Sequence, residues 1–158
     1  MTSTPENTPL ITQLLTTWIE GEESQGLKIA NYANAAAILM QNLPDINWAG
    51  FYFYQAEAKQ LILGPFMGKP ATVKIDVGTG VVGTAFQQKK TIVVADVHTF
   101  NGHIVCDPLS ASEIVVPLIS PEDGILGVLD IDSPKQARFS ADDQQALESF
   151  ARALMGYV

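Results

Sequence analysis

This 158-residue chain has few cysteines, few basic residues and no long apolar run, and each of these features excludes or disfavours a class of protein. It has one cysteine, so no disulfide can form within the chain, and that usage fits a reducing compartment. Lys and Arg number 9 against 17 Asp and Glu, a net charge of −8, which disfavours nucleic acid as a partner because nucleic acid is bound through basic patches. No apolar run approaches the roughly 20 residues of a membrane span. Residues 1–7 also lack the basic and apolar parts of a signal peptide, so a cytoplasmic protein is expected.

The composition that remains is typical of a globular domain. Apolar residues make up 47% of the chain and charged residues 16%, which is too apolar for a disordered protein. A chain of this length can bury roughly two-thirds of its unfolded surface around one core. We therefore expect a single domain over residues 1–158, with residues 1–7 as a disordered tail.

Apolar residues at spacings of three and four predict four helices. The first is expected to be capped by Thr8 and to end at Gly21, and the second to begin at Ser24. The second helix carries apolar residues on most sides, which predicts that it is largely buried. Its stripe at helical spacing consists of Leu27, Ala30, Ala33, Ala37 and Met40. A third helix is predicted over 81–88, and a fourth begins after the cap Ser140.

Six runs rich in β-branched and aromatic residues predict strands. These runs are 46–55, 60–66, 73–75, 91–95, 114–119 and 125–131. Most neighbouring strands are joined by turns, so we expect an α+β fold with a mainly antiparallel sheet and helices on its faces. Gly50 inside the first strand indicates a close approach to its backbone. The Gly-x-Gly-x-x-Gly pattern over 78–83 is interpreted as a tight turn and helix packing, because it lacks the context of a dinucleotide site.

Residues 98–113 form a predicted loop that contains the only cysteine, Cys106, and both histidines, His98 and His103. A long loop without structure of its own inside a compact domain is usually functional or disordered. Here strands are predicted on both sides of it, which favours a functional loop. The spacing of its histidines and cysteine matches no zinc pattern, so a metal site is not expected.

The residues around Cys106 leave its reactivity open. A lone cysteine is often a buried, inert apolar residue, yet this one lies in a polar loop. His103 could stabilise a thiolate. Asp107 and Glu113 would raise the pKa of the thiol, so both interpretations stand at this point.

Asp130 and Asp132 lie two positions apart in a predicted strand and therefore point to the same face of the sheet. Glu113 precedes the neighbouring strand and could join them. A solvated strand end is the simpler explanation. The alternative is a site for a cation or an ammonium group, because charge-assisted hydrogen bonds to ammonium are strong.

Trp48 and Tyr52 share one face of the first predicted strand. Core packing is the commoner role of such aromatic residues, and an aromatic wall around a small ligand is the alternative.

Seven short segments stand in a characteristic order. They are Asp-Ile-Asn-Trp-Ala-Gly-Phe-Tyr (45–52), Leu-Gly-Pro-Phe-Met-Gly-Lys (63–69), Gly-Thr-Gly-Val-Val-Gly-Thr-Ala (78–85), Asp-Val-His (96–98), Gly-His-Ile-Val-Cys-Asp (102–107), Ser-Glu-Ile-Val-Val-Pro-Leu (112–118) and Gly-Val-Leu-Asp-Ile-Asp-Ser (127–133). Each is ordinary alone, but together they resemble the free methionine-(R)-sulfoxide reductases, which are built on a GAF domain. The resemblance implies a six-stranded antiparallel sheet with helices, usually a homodimer, and no bound cofactor or metal.

The resemblance also implies a reaction, namely reduction of free L-methionine (R)-S-oxide to methionine, with electrons usually supplied by thioredoxin. Cys106 matches the catalytic cysteine of that family, whose thiolate attacks the sulfoxide sulfur and becomes a sulfenic acid.

The other matched residues would form the pocket. Glu113, Asp130 and Asp132 would hold the substrate amino group, and the pocket acids, Glu113 and Asp132 among them, would assist proton transfer to the sulfoxide oxygen. Trp48 and Tyr52 would line the side that takes the S-methyl group.

One departure concerns recycling. Better-known members carry further cysteines near Thr72 and Val82, which resolve the sulfenic acid as a disulfide. With one sulfur that route is closed, so we expect reduction by an external thiol such as glutathione, a glutaredoxin or thioredoxin. The same loss favours an alternative, a GAF module that binds a small amino-acid-like ligand without chemistry. A metal-dependent hydrolase using His98, His103 and the aspartates is a third hypothesis.

Overall fold

A computed structural model describes residues 8–102 and 107–158. Its helices and strands follow one another in this order: α1 (Leu10–Gly21), α2 (Lys28–Asn42), β1 (Trp48–Gln55), β2 (Gln60–Met67), β3 (Lys74–Asp76), α3 (Gly80–Gln88), β4 (Ile92–Val94), a 3₁₀ turn (Val97–Thr99), β5 (Ser112–Ser120), β6 (Gly124–Ser133) and α4 (Ala141–Met155). The predicted strands are confirmed, with boundaries that differ by two residues or fewer at most ends. No helix in the described ranges is both long and apolar enough to cross a membrane.

The six strands form one antiparallel sheet in the order β3-β2-β1-β6-β5-β4. The predicted α+β class and the six-stranded antiparallel sheet are therefore confirmed. β1 and β6 pair at the centre, and β5 lies on the far side of β6. This arrangement places the end of β6 between the start of β1, which is distant in sequence, and the start of β5.

Alternation along the central strands gives the sheet two buried faces. One face packs against α2 and α4 through apolar residues such as Phe51, Leu129 and Ile131, and α1 packs on those two helices. The other face carries Val115, Val128 and Tyr52 and packs against α3. Each buried large apolar side chain contributes about 1.5–3 kcal/mol relative to an exposed one, so the two clusters together hold the strands in register.

The α2 helix differs from the prediction in both its start and its buried face. It begins at Lys28, because Gly26 has a φ of +86° that no helix accommodates. Ser24 is a buried turn residue whose hydroxyl donates to Asn31 Oδ1 over 2.8 Å. The buried face consists of Asn31, Tyr32, Ala35, Ala36 and Leu39.

The stripe predicted for α2 was wrong, since Leu27, Ala30 and Ala33 are exposed. Ile29 is 79% exposed, so the helix is not largely buried. The face is chosen by Tyr32, whose ring centroid lies 5.0 and 4.7 Å from two phenylalanines of β1. One aromatic ring in such contacts buries more apolar area than several alanines do.

The caps of the outer helices were predicted with mixed success. Thr8 does not cap α1; Pro9 is the N-cap residue and no side chain accepts a hydrogen bond there. The α4 helix begins with a capping box between Ser140 and Asp143, as the sequence indicated. The predicted end of α1 at Gly21 is confirmed.

Two glycine predictions are also confirmed. A Cβ on Gly50 would lie 2.3 Å from the Cβ of Phe66, and one on Gly83 would lie 2.5 Å from the carbonyl oxygen of Asp76. Both positions therefore require glycine for close packing. At Gly50 the close neighbours are side chains of the sheet itself.

Candidate active site

Strand register places the three candidate carboxylates on one face of the sheet. Glu113 in β5 is directly opposite Asp132 in β6, and Asp130 follows two positions away on the same face. One oxygen of each carboxylate lies within 4.8 Å of the others. Glu113 lies inside β5 rather than before it, which corrects the sequence prediction and explains why the cluster is so close.

Burial makes this cluster chemically unusual. Glu113 and Asp130 are 5% and 6% exposed. The pKa of Asp132 is raised to about 7, mainly by burial; a hydrogen bond with Glu113 acts against the increase, and the negative charge of Asp107 adds to it. A carboxyl of this kind can carry a proton near neutral pH and release it, as a general acid must.

The cluster can also accept a hydrogen bond from a ligand. Asp132 Oδ1 is buried and accepts no hydrogen bond from residues 8–102 or 107–158. A buried carboxylate oxygen without a donor is costly, and an ammonium group, which brings three donors, would satisfy it. The same oxygens could instead hold a metal ion, but the cluster found within the described ranges contains no histidine.

An aromatic wall stands beside the carboxylates. Trp48 is opposite Asp132 in the register of β1 and β6, and its ring stacks on Phe66 at 5.2 Å and on Tyr52 at 6.1 Å between centroids. The indole Nε1 of Trp48 donates to the carbonyl oxygen of Lys69 over 3.0 Å. The Tyr52 hydroxyl is 2.9 Å from the carbonyl oxygen of Thr72 and donates to it. Both residues are 2% exposed and belong to the buried cluster on this face of the sheet, so core packing is the role that the structure shows.

The segment that follows Cys106 is held against this site. The Asp107 carboxylate is 6% exposed and pairs with Lys69 Nζ at 3.5 Å. The backbone N–H of Leu109, then Lys69 and Asn47, keep the pKa of Asp107 below its usual range against the opposing effect of burial. Asp107 is therefore ionised at neutral pH.

Several residues that the sequence analysis selected lie outside the acidic cluster or outside the described residues. Cys106 and His103 lie outside the described residues. His98 lies exposed on the 3₁₀ turn, where its backbone N–H donates to Asp96 Oδ1, and it takes no part in the acidic cluster. The predicted loop 98–113 thus includes the last two residues of this turn and the first two of β5. Val82 is buried in α3 and Thr72 half-buried before β3.

Sequence analysis did not single out Asn47 or Lys69, although both anchor Asp107. The only available signal was their position, since Asn47 immediately precedes Trp48 and both residues fall within segments of the quoted pattern.

An open groove of about 780 Å³ lies elsewhere on the molecule. It is bounded by residues 89–91, the later part of β5 and one side of α4, and shares no residue with the carboxylate cluster. Its walls are mostly apolar and carry no carboxylate cluster or nucleophile. The chemistry is therefore assigned to the acidic cluster rather than to the groove.

A GAF domain family model matches residues 27–157. The chain belongs to the GAF domain family. Within this family it is 51% identical over 143 residues to Protein YtsP of Bacillus subtilis, covering 90% of this chain and 87% of that protein. It is 48% identical over 126 residues to the free methionine-R-sulfoxide reductase of Escherichia coli, covering 80% and 74% respectively.

The fold of this GAF domain is also close to that of a substrate-bound relative. The free methionine-R-sulfoxide reductase of Neisseria meningitidis, solved in complex with its substrate, superposes with a TM-score of 0.86 at 36% identity, over 98% of this chain and 92% of that one. The family resemblance inferred from the seven segments is thus confirmed.

Proposed function

We propose that this GAF domain reduces free L-methionine (R)-S-oxide to L-methionine. The observation that carries the proposal is the buried cluster of Glu113, Asp130 and Asp132 beside an aromatic wall, in a chain whose relatives include reductases named for that substrate. A zwitterionic amino acid with an apolar tail suits both halves of such a site. The ammonium group meets carboxylates, and the S-methyl group meets the faces of Trp48 and Tyr52.

The proposed chemistry uses Cys106 as nucleophile. Its thiolate attacks the sulfoxide sulfur, the S–O bond of the substrate breaks, and the oxygen ends on the cysteine as a sulfenic acid. The substrate gains two electrons and the cysteine loses them. Asp132, or the proton that it shares with Glu113, supplies the proton that the departing oxygen requires.

Recycling requires two further electrons from an external thiol. A first thiol displaces the sulfenic acid hydroxyl as water and forms a mixed disulfide with Cys106, and a second thiol releases the reduced enzyme. Val82 and Thr72 stand where other members carry resolving cysteines, so the reductant is a separate molecule. Glutathione, a glutaredoxin and thioredoxin are the candidate donors.

The test of this function presents the R and S epimers of methionine sulfoxide separately, each free and peptide-bound, with dithiothreitol as the thiol. We expect methionine release from the free R epimer, and rates at least roughly 100-fold lower for the other three, because a peptide-bound substrate leaves buried carboxylates without their ammonium partner. Similar rates for free and peptide-bound substrate would contradict the assignment of the cluster to the amino group.

We propose further that the protein is a homodimer. Four large apolar side chains on or just before the first two helices are exposed: Leu10 66%, Trp18 51%, Leu27 58% and Ile29 79%. Exposed apolar groups of this number on neighbouring elements are typical of interaction surfaces. Sedimentation equilibrium at micromolar concentration should give about twice the chain mass of 17.0 kDa, and Trp18→Lys should shift the protein toward monomer. A monomeric wild type would refute the proposal.

A further inference from the structure

Asn47 joins two parts of the molecule that the reaction needs together. Its backbone N–H donates to the carbonyl oxygen of Asp132 over 3.0 Å, which ties it to the end of β6. Its side-chain Nδ2 lies 3.2 Å from Asp107 Oδ2 and 3.2 Å from Ser110 Oγ and donates to both. One residue is thus bonded both to the strand that carries the acidic cluster and to the segment that follows Cys106.

The orientation of the Asn47 amide follows from the chemistry of its partner. An ionised carboxylate can only accept hydrogen bonds, and Asp107 is kept ionised by the N–H of Leu109, which donates over 2.9 Å, and by the amine of Lys69. The amide must therefore present Nδ2 rather than Oδ1 to Asp107. This polarity makes the contact directional, and a carboxylate at position 47 could not reproduce it.

Of the two side chains that hold Asp107, Asn47 has the better geometry for the task. The Lys69 side chain is 59% exposed and its ion pair spans 3.5 Å, and exposed ion pairs of this kind stabilise little because water competes for both charges. The Asn47 side chain is part-buried and shares its two N–H groups between Asp107 and Ser110. Hydrogen bonds to charged groups in such surroundings contribute more than exposed ion pairs do.

We propose that Asn47 is a positioning residue for the reaction, which fixes Asp107, the residue that follows Cys106 in the chain, relative to the carboxylates of β6. The inference rests on the proposed function for its reaction, but its geometry is independent of the substrate. Because Cys106 is covalently bonded to Asp107, any contact that fixes Asp107 limits the volume that the thiol can sample. Asn47 acts through its hydrogen bond to Asp107.

The test exchanges the hydrogen-bond donor and acceptor between positions 47 and 107. Asn47→Asp opposes two carboxylates, and Asp107→Asn in the same chain supplies an amide donor to the new carboxylate while its own oxygen still accepts from Leu109. We expect Asn47→Asp to lower kcat about 100-fold, the cost of misplacing a reacting group by about 1 Å, with KM changed less than threefold. The double variant Asn47→Asp with Asp107→Asn should recover to within about tenfold of wild type.

A second readout does not depend on turnover. Cys106 is the only thiol of the chain, so its alkylation by iodoacetamide reports its environment without interference, and the pH profile of that rate should change in Asn47→Asp and return in the double variant. Asn42→Ala is the matched control, since its amide donates only locally, to Ile38 of the same helix, over 2.8 Å. That variant should match wild type in both measurements.

The outcomes separate this inference from the proposed function. Wild type without reductase activity refutes the function, while the alkylation series still decides the role of Asn47. Asn47→Asp with wild-type kcat and alkylation, or a double variant no better than the worse single, would overturn the inference. If Asn47→Asp does not fold, Ser110→Ala removes one of the two acceptors, and a kcat loss without a KM change is again expected; an unchanged kcat would count against it.

Discussion

Replacing Cys106 with serine is expected to lower turnover of the free R epimer by roughly 1,000-fold or more, because removing a nucleophile leaves only binding and positioning. A serine hydroxyl is far less ionised than a thiol at neutral pH, and its oxygen cannot be oxidised to supply the two electrons that the substrate sulfur must gain. Methionine release under saturating dithiothreitol measures the loss.

The same variant tests recycling. Wild-type protein treated with substrate and then glutathione should gain one glutathione by mass spectrometry, and Cys106→Ser should gain none. His98→Asn is the control, since His98 lies exposed outside the acidic cluster, and it should retain activity. Equal activity of wild type and Cys106→Ser would favour the alternative of a ligand-binding module, and loss of activity in His98→Asn would revive the metal-dependent hypothesis.

Replacing Asp132 with asparagine is expected to raise the stability of the fold above neutral pH and to lower the activity. Burial holds the pKa of Asp132 at about 7, so the folded protein binds a proton there that the unfolded chain has already released above pH 4 or so. The stabilisation that this protonated carboxyl gives to the folded state is therefore fully present below about pH 4, falls as the pH rises, and is lost above about pH 7. Asparagine carries no charge, so Asp132→Asn should be more stable than wild type at pH 8, by about 1–2 kcal/mol after allowance for its partial exposure.

Activity should change in the opposite direction. Asp132→Asn cannot donate a carboxyl proton or balance the substrate ammonium, so kcat/KM is expected to fall at least about 100-fold. The decline of wild-type activity as pH rises through about 7, which reports deprotonation of Asp132, should disappear from the residual rate. Urea unfolding at pH 5 and pH 8 gives the stability difference. The control is Asp123→Asn on the exposed turn between β5 and β6, and a pH-independent stability difference between Asp132→Asn and wild type would contradict the buried-acid account.

Such a trade between stability and activity is common at sites that bury charge for function. The sheet here brings three carboxylates within 4.8 Å, an arrangement that apolar residues of similar size would make more stable. Under the proposed function, the ammonium group of the substrate would neutralise this cluster.

Some features of the fold could be predicted from the sequence because they depend on residues that are close together in the chain. Strand alternation put Asp130 and Asp132 on one face, and Ser140 with Asp143 marked the start of α4. The first feature depends on the pleat of a single strand and the second on one turn of a helix, and both are set by residues that are neighbours in the sequence.

Other features depended on contacts between distant parts of the chain. The buried face of α2 was predicted wrongly because most of its sides carry apolar residues, and only the contacts of Tyr32 with the rings of β1 show which side is buried. The role of Asn47 was invisible for the same reason, since its partners Asp107 and Ser110 are 60 and 63 residues away.

By itself, the sequence determined the strands and their alternation, the lone thiol at Cys106 and the types of residue that could serve it, because composition and local periodicity carry that information. Only the tertiary structure decided that Glu113 lies opposite Asp132, that burial raises the pKa of the latter, and that Asn47 ties the end of β6 to Asp107. Register and desolvation arise only when separate strands pair and exclude water.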